Sequence, residues 1–348
     1  MWSPDGGHLY FASNRGGSMN LWRVAIDEQS GRVLAQPEPL TTPSALAGHV
    51  SVSADGRRVA YASFERTAPI QTVPFDPVSG TITAAPVTVV GGTRFLSWVA
   101  PSPDGHWLAY YSIGNQIDLL ISRSDGSGER ELTHDTAVDR YPSWSPDGRH
   151  IALLSNRSAK NQIWSIRPDG SDLRQLTFAP DCVSAAKWSP NGSRIVYVGG
   201  ASVFVFEPAK PWTAQTPQQF SRVVEPGVLF APSGGWSPDG TRLLGEGEPA
   251  HGEFMYSFGG VFTYSFASGQ FTRLTRVGQP WTWLNDSRRA LFTHREKLFI
   301  VDAVSKATRE LLSVAPDDFD SVALSRDNRT LYFTREIQRG DIWLMTFK

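Results

Sequence analysis

One short turn string recurs along the whole chain and constrains its fold more than any other feature. Trp-Ser-Pro-Asp-Gly stands at 2–6, 144–148 and 236–240, with Trp-Ser-Pro-Asn-Gly at 188–192 and Ser-Pro-Asp-Gly at 102–105. Anchored on its acidic position, the string marks Asp5, Asp55, Asp104, Asp147, Asn191, Asp239, Asp286 and Asp327. These eight copies have a mean spacing of 46 residues. A fixed period of this size signals a repeat architecture.

The string has a mechanical meaning. Proline supplies the φ near −65° that suits the first corner of a type I turn, Asp or Asn suits the second, and Gly takes the positive φ that follows. A type I turn followed by a left-handed residue is a three-residue hairpin loop with a bulge, so each copy joins two antiparallel strands. Asn328 replaces Gly in the eighth copy and Ser287 in the seventh, where the turn is weakest. The residues after each turn (HLYFAS, RVAYAS, WLAYYS, HIALLS, RIVYVG) are β-branched and aromatic, as in strands. A second strand follows (NLWRVAI, QIWSIR, KLFIVD), then a short edge strand ending RELT, RQLT or TRLT. Four strands per repeat and no helical period predict an all-β chain, a β-propeller of eight blades with four antiparallel strands each. Seven blades are the alternative, and the last blade is either incomplete or closed by the N-terminus. The expected organisation is one domain, 1–348, with repeats 1–43, 44–92, 93–134, 135–178, 179–226, 227–276, 277–314 and 315–348.

These residues carry a family resemblance. YPSWSPDGRHIALLSNRSAKNQIWSIRPDGSDLRQLT (141–177) resembles the TolB-type β-propeller repeat nearly letter for letter, and WSPDGGHLYFASNRGGSMNLWRV (2–24) is similar. The resemblance covers essentially all of the chain and is specific for fold. Function it leaves open, because such propellers serve many roles. It implies a bacterial binding or scaffold module, of a kind also found in longer proteins with a kinase, winged-helix or peptidase part. The first copy has almost no inner strand before its turn and the eighth stops after its third strand, so an upstream fused domain is expected.

Composition narrows the partners. The net charge is −1, which lacks the basic field needed to neutralise nucleic-acid phosphates. The single cysteine, Cys182, excludes an internal disulfide and a thiolate metal cluster. No apolar run approaches the roughly 20 residues that span a bilayer, so no membrane insertion of this segment is expected. The N-terminus lacks a basic region followed by an apolar one, hence no signal peptide is read. The compartment is extracytoplasmic if the chain belongs to a membrane-anchored protein and cytoplasmic otherwise, and a monomer is expected.

In this architecture the loops facing away from the turns, together with the channel mouth, form the usual ligand surface. The candidates there are Arg15, Arg157 and Arg295, a recurring basic element after the second strand, which could clamp an anion. Against this, each Arg could pair with a neighbouring carboxylate such as Asp135, Asp139 or Asp317. His49 and Lys187 are candidate channel-lining residues, with Trp281 and Trp283 as a stacking platform or as packing. The stretch GEGEPAHGEFMYSFGG (245–260) departs from the repeat and holds Glu246, Glu248, His251 and Glu253. That set could bind a divalent cation or do acid–base work, though a solvated acidic loop is the plainer reading, and no cofactor is expected. The insertion 207–220 reads as an irregular loop, a contact for another domain or a local cover. The sequence favours a non-enzymatic module that binds a protein, peptide or small ligand at the channel mouth, as part of a larger bacterial sensor or signalling protein. The alternative is a propeller lyase or hydrolase acting on a glycan or peptide.

Overall fold

The structure, a computed structural model, describes residues 1–13, 15, 19–41, 46–114, 116–249 and 259–347. Apart from one 3-10 turn, Trp212–Ala214, every regular element among the described residues is a strand. The chain forms two compact units, one of Met1–Thr67 with Ile337–Lys348 and one of Ala68–Glu336. None of the described helical residues makes a helix long and apolar enough to cross a membrane.

Among the described residues the larger unit contains six sheets, whose inner strands are Phe95–Pro101, Asp139–Trp144, Val183–Trp188, Val228–Trp236, Gln279–Trp283 and Asp318–Leu324. Five follow chain order, as in Asp139–Trp144, Ile151–Ser155, Gln162–Ile166 and Arg174–Gln175. The sixth is closed by a segment from the other end of the unit. Asp318–Leu324 pairs with the first half of the long strand Thr330–Thr346, that half pairs with Ile70–Asp76, and Ile70–Asp76 pairs with Val87–Val90.

Among the described residues the smaller unit has two three-stranded sheets. One is His8–Ser13, Asn20–Ala25 and Glu38–Pro39; the other is Leu46–Val52, Arg58–Thr67 and the second half of Thr330–Thr346. Its core is small, built on Tyr10, Leu21 and Val59.

Among the described residues six sheets belong to the larger unit and two to the smaller one. The second and eighth repeats exchange strands. Instead of folding back into a hairpin, Arg58–Thr67 runs on into Ile70–Asp76, and Thr330–Thr346 runs antiparallel beside both. The strands that complete the sheet of Asp318–Leu324 come from residues 70–90, in the second repeat.

The turn string does what its composition dictates. In the fourth copy Gly148 N donates to Ser145 O at 2.9 Å, closing a type I turn, and Gly148 has φ 71°. The serine completes a second network that the turn rules alone do not require. Ser145 Oγ donates to Asp147 at 2.6 Å and accepts from His150 N, while the same carboxylate accepts from Arg149 N. The pattern repeats at Ser3, Ser53, Ser102, Ser189, Ser237 and Ser325. Hydrogen bonds from the serine hold the carboxyls of Asp5, Asp55, Asp147 and Asp327 below the usual carboxylate range.

The tryptophan of the string staples neighbouring sheets. Trp144 Nε1 donates to Ala100 O at 2.9 Å, Trp188 Nε1 to Ser143 O at 3.1 Å, and Trp236 Nε1 to Lys187 O at 3.2 Å. Each bond reaches the inner strand of the preceding repeat. A buried indole must satisfy its single donor, and the facing inner-strand carbonyl is where that partner lies.

Candidate functional site

The six inner strands of the larger unit enclose a cavity of about 570 Å³. Each inner strand carries a register shift near its middle, and Trp98, Tyr141 and Ala185 take left-handed φ values of 56°, 57° and 55° there. Such values are uncommon for bulky residues. Here the bulge turns ring surfaces against one another: Trp98 stands edge-on to Tyr141 at 4.7 Å and to Trp281 at 5.4 Å.

Two rings of equivalent positions shape the cavity. The residue before the turn tryptophan position is Ala100, Ser143, Lys187, Gly235, Thr282 or Ala323. Five of these are small, which leaves space; the sixth is a lysine. The proline position of the turn string forms the second ring, Pro103, Pro146, Pro190, Pro238, Asn285 and Arg326. The cavity therefore reaches the turn face, not only the opposite face where the sequence reading placed the ligand surface.

Lys187 extends to Trp98, its Nζ 5.1 Å from the ring centroid. No carboxylate lies in the cavity wall, and burial alone pulls the ammonium down to about 8. Arg326 donates from Nη1 to Pro146 O at 2.9 Å, two sheets away around the ring, so its side chain crosses part of the mouth. Asn285 steadies it by donating from Nδ2 to Arg326 O at 2.6 Å. The charged groups lining the cavity are thus two cations, in a chain with 34 acidic residues. Low-dielectric walls concentrate such a field.

The remaining sequence candidates fall elsewhere. Arg157 is engaged: Nη2 donates to the buried carboxylate of Asp139 at 2.7 Å, lies 3.2 Å from Asp135, and the guanidinium covers Trp164. Arg335 pairs with Asp317 at 2.7 Å in the same manner. Both guanidiniums are thus paired with carboxylates, the arrangement weighed against the anion clamp. Arg295 is exposed on a turn with φ 54°. Arg15 and His49 belong to the smaller unit, Arg15 over the rings of Phe11 and Trp22 and His49 edge-on to Phe64.

Glu246 and Glu248 lie in the strand Arg242–Pro249, opposite Ala231 and Leu229. Glu248 accepts from the buried Arg222. Glu246 is buried, its Oε2 has no hydrogen-bond partner among the described residues, and burial, with help from the Glu248 charge, pushes its carboxyl up to about 8. It is a strand residue and not part of a solvated loop. His251 and Glu253 lie outside the described residues. Among the described residues no group of three or more His, Cys, Asp or Glu side chains could hold a metal ion. Trp281 and Trp283 are both buried, and a register shift between Pro280 and Thr282 sends them into different clusters. Trp212 packs against Phe206, so the 207–220 insertion covers its own sheet.

Sequence reasoning missed Arg326 and Asn285. The signal was present: they occupy the proline position in the two weakest copies of the turn string, where a charged and an amide side chain replace the ring.

Six sheets around a channel, joined through their inner strands, define a β-propeller. A family model described as the TolB beta propeller domain matches residues 34–216, and the chain belongs to that family. Among curated relatives, the Tol-Pal system protein TolB of Bordetella pertussis is 33% identical over 157 residues, 45% of this chain and 34% of that protein. A Protein TolB homolog of Chlorobium luteolum is 27% identical over 165 residues, 47% of this chain and 34% of that one. The matched region thus spans about a third of these relatives' length. Among solved structures, TolB from Acinetobacter baumannii superposes with a TM-score of 0.52 at 13% identity, covering 97% of this chain and 82% of that one. This likeness speaks for fold alone.

Proposed function

We propose that the chain is a non-enzymatic binding module whose channel receives an acidic segment, or a terminal carboxylate, of a protein or peptide partner. The observation that carries this reading is the cavity wall: Lys187 and Arg326 are its charged groups, no carboxylate opposes them, and the rest is uncharged. An unpaired ammonium in a confined channel is costly unless a ligand anion completes it. Trp98, half-buried in the cavity wall, offers ring surface for the apolar part of such a ligand. The relatives' names place them in a multi-component system, Tol-Pal, which supports a partner-binding role.

The test is calorimetric titration with two hexapeptides of equal length, one rich in Asp and Glu, one rich in Lys. The acidic peptide binds, and Lys187→Met weakens it by about tenfold, equal to about 1.4 kcal/mol. Equal affinity for both peptides, or an unchanged affinity in Lys187→Met, would refute the reading.

A further inference from the structure

The second half of the long strand, Ile337–Thr346, has a free edge. It pairs with Arg58–Thr67 from Ile337 opposite Thr67 to Thr346 opposite Arg58, and among the described residues nothing pairs with its other side. Such an edge presents a row of backbone donors and acceptors ready to take another strand. Proline, one of the usual protections, is missing from the segment. Ile342, Trp343 and Leu344 are 85%, 56% and 63% exposed.

The charges on this edge specify what fits it. Arg339 and Asp341 are two residues apart, so they share one face of the strand. Neither is in an ion pair among the described residues, although Glu65 stands opposite Arg339 in the register and Ser63 opposite Asp341. A basic and an acidic residue flanking a central glycine are self-complementary under two-fold symmetry. If a second copy pairs antiparallel with Gly340 on the axis, Arg339 faces Asp341 of the other copy, twice. Ile337 then faces Trp343, a β-branched residue against an aromatic one. Moving the axis by one residue sets Arg339 against Arg339 or Asp341 against Asp341, so the charges select this register. Gly340 leaves the centre open, and its own face is already covered by Phe64, which an added Cβ would meet at 3.2 Å.

We propose that this edge joins two copies of the chain into a two-fold dimer through antiparallel pairing of Ile337–Trp343 about Gly340. The closed, isologous symmetry ends the association at two, which turns an aggregation-prone edge into a defined interface. This departs from the monomer expected from the sequence and is independent of the channel reading.

The experiment measures the mass of the full chain by light scattering after size exclusion, with circular dichroism as a check that every variant is folded. Wild-type protein at about 50 µM should run at twice the monomer mass. Arg339→Asp alone should be monomeric, as should Asp341→Arg alone, because each sets like charges opposite one another. Mixing the two single variants in equal amounts should restore the doubled mass, since Asp at 339 then faces Arg at 341. The double variant should dimerise by itself. A monomeric wild type, single variants that stay dimeric, or a mixture that stays monomeric would each overturn the proposal. If a single variant fails to fold, the wild-type mass and the double variant still decide it.

Discussion

Replacing Lys187 by methionine separates what the channel costs from what it does. Methionine keeps the unbranched stem against Trp98 and removes the charge. The ammonium falls from 10.5 to about 8 on burial. At 1.36 kcal/mol per pH unit that is about 3 kcal/mol of disfavoured charge, which access of water through the channel mouth reduces to about 2 kcal/mol. The sign follows from proton counting. The unfolded chain holds this proton up to the ordinary lysine value, whereas the folded chain releases it near 8, so wild-type stability gains on raising the pH between about 8 and 10.5. Below 8 both states are protonated and the full penalty stands. Lys187→Met should therefore be more stable than wild type by about 2 kcal/mol at neutral pH, with the gap closing as the pH nears 10.5. Urea unfolding at about pH 7 and about pH 10.5, followed by tryptophan fluorescence, reads both numbers. A variant less stable than wild type at neutral pH, or a gap that does not change with pH, would show that the ammonium is already satisfied. Together with loss of acidic-peptide binding, the expected result would mark Lys187 as a residue retained for function against stability.

Other outcomes follow from the same contacts. Asp139→Ala should destabilise the protein by about 3 kcal/mol in denaturant unfolding, because it removes the buried carboxylate that holds Arg157 at 2.7 Å and leaves that guanidinium only the exposed Asp135. Trp144→Phe should cost about 1–2 kcal/mol, since it keeps the ring but removes the bond to Ala100 O that links two inner strands. Ser145→Ala should cost about 1 kcal/mol and weaken acid resistance. The Asp147 carboxyl, held low chiefly by Ser145, stabilises the fold above 3.8, and that contribution is lost as the pH falls through its lowered value. Glu246→Gln should flatten the pH dependence of stability between about 4.5 and 8: the wild-type carboxyl is raised to about 8, so stability falls across that window as the unfolded state ionises. Thermal melts across that range provide the check.

Most of the local architecture was legible in the sequence because it is built from short-range chemistry. Each Pro-Asp-Gly sets its own dihedral angles, so the corners, the strands beside them and the all-β class follow from a few consecutive residues. The pairing of Arg157 with Asp139 was within reach for a similar reason, since both belong to one repeat. Lys187 was legible as a channel residue through its strand, but its solitude was not. That depends on the five small residues that share its ring, which come from five other inner strands.

The sequence by itself determined the repeat, the turn chemistry, the strands and the family fold. Only the tertiary structure decided which strands pair. Every strand in repeats of one kind offers similar backbone edges, so local pattern does not say whether Ile70–Asp76 folds back on Arg58–Thr67 or joins the sheet begun by Asp318–Leu324. Long-range closure settled that, giving six sheets around one channel and releasing the segment Ile337–Thr346 to a free edge. The same closure brought Arg326 across the mouth toward Pro146, 180 positions away in the chain, a proximity no reading of consecutive residues contains.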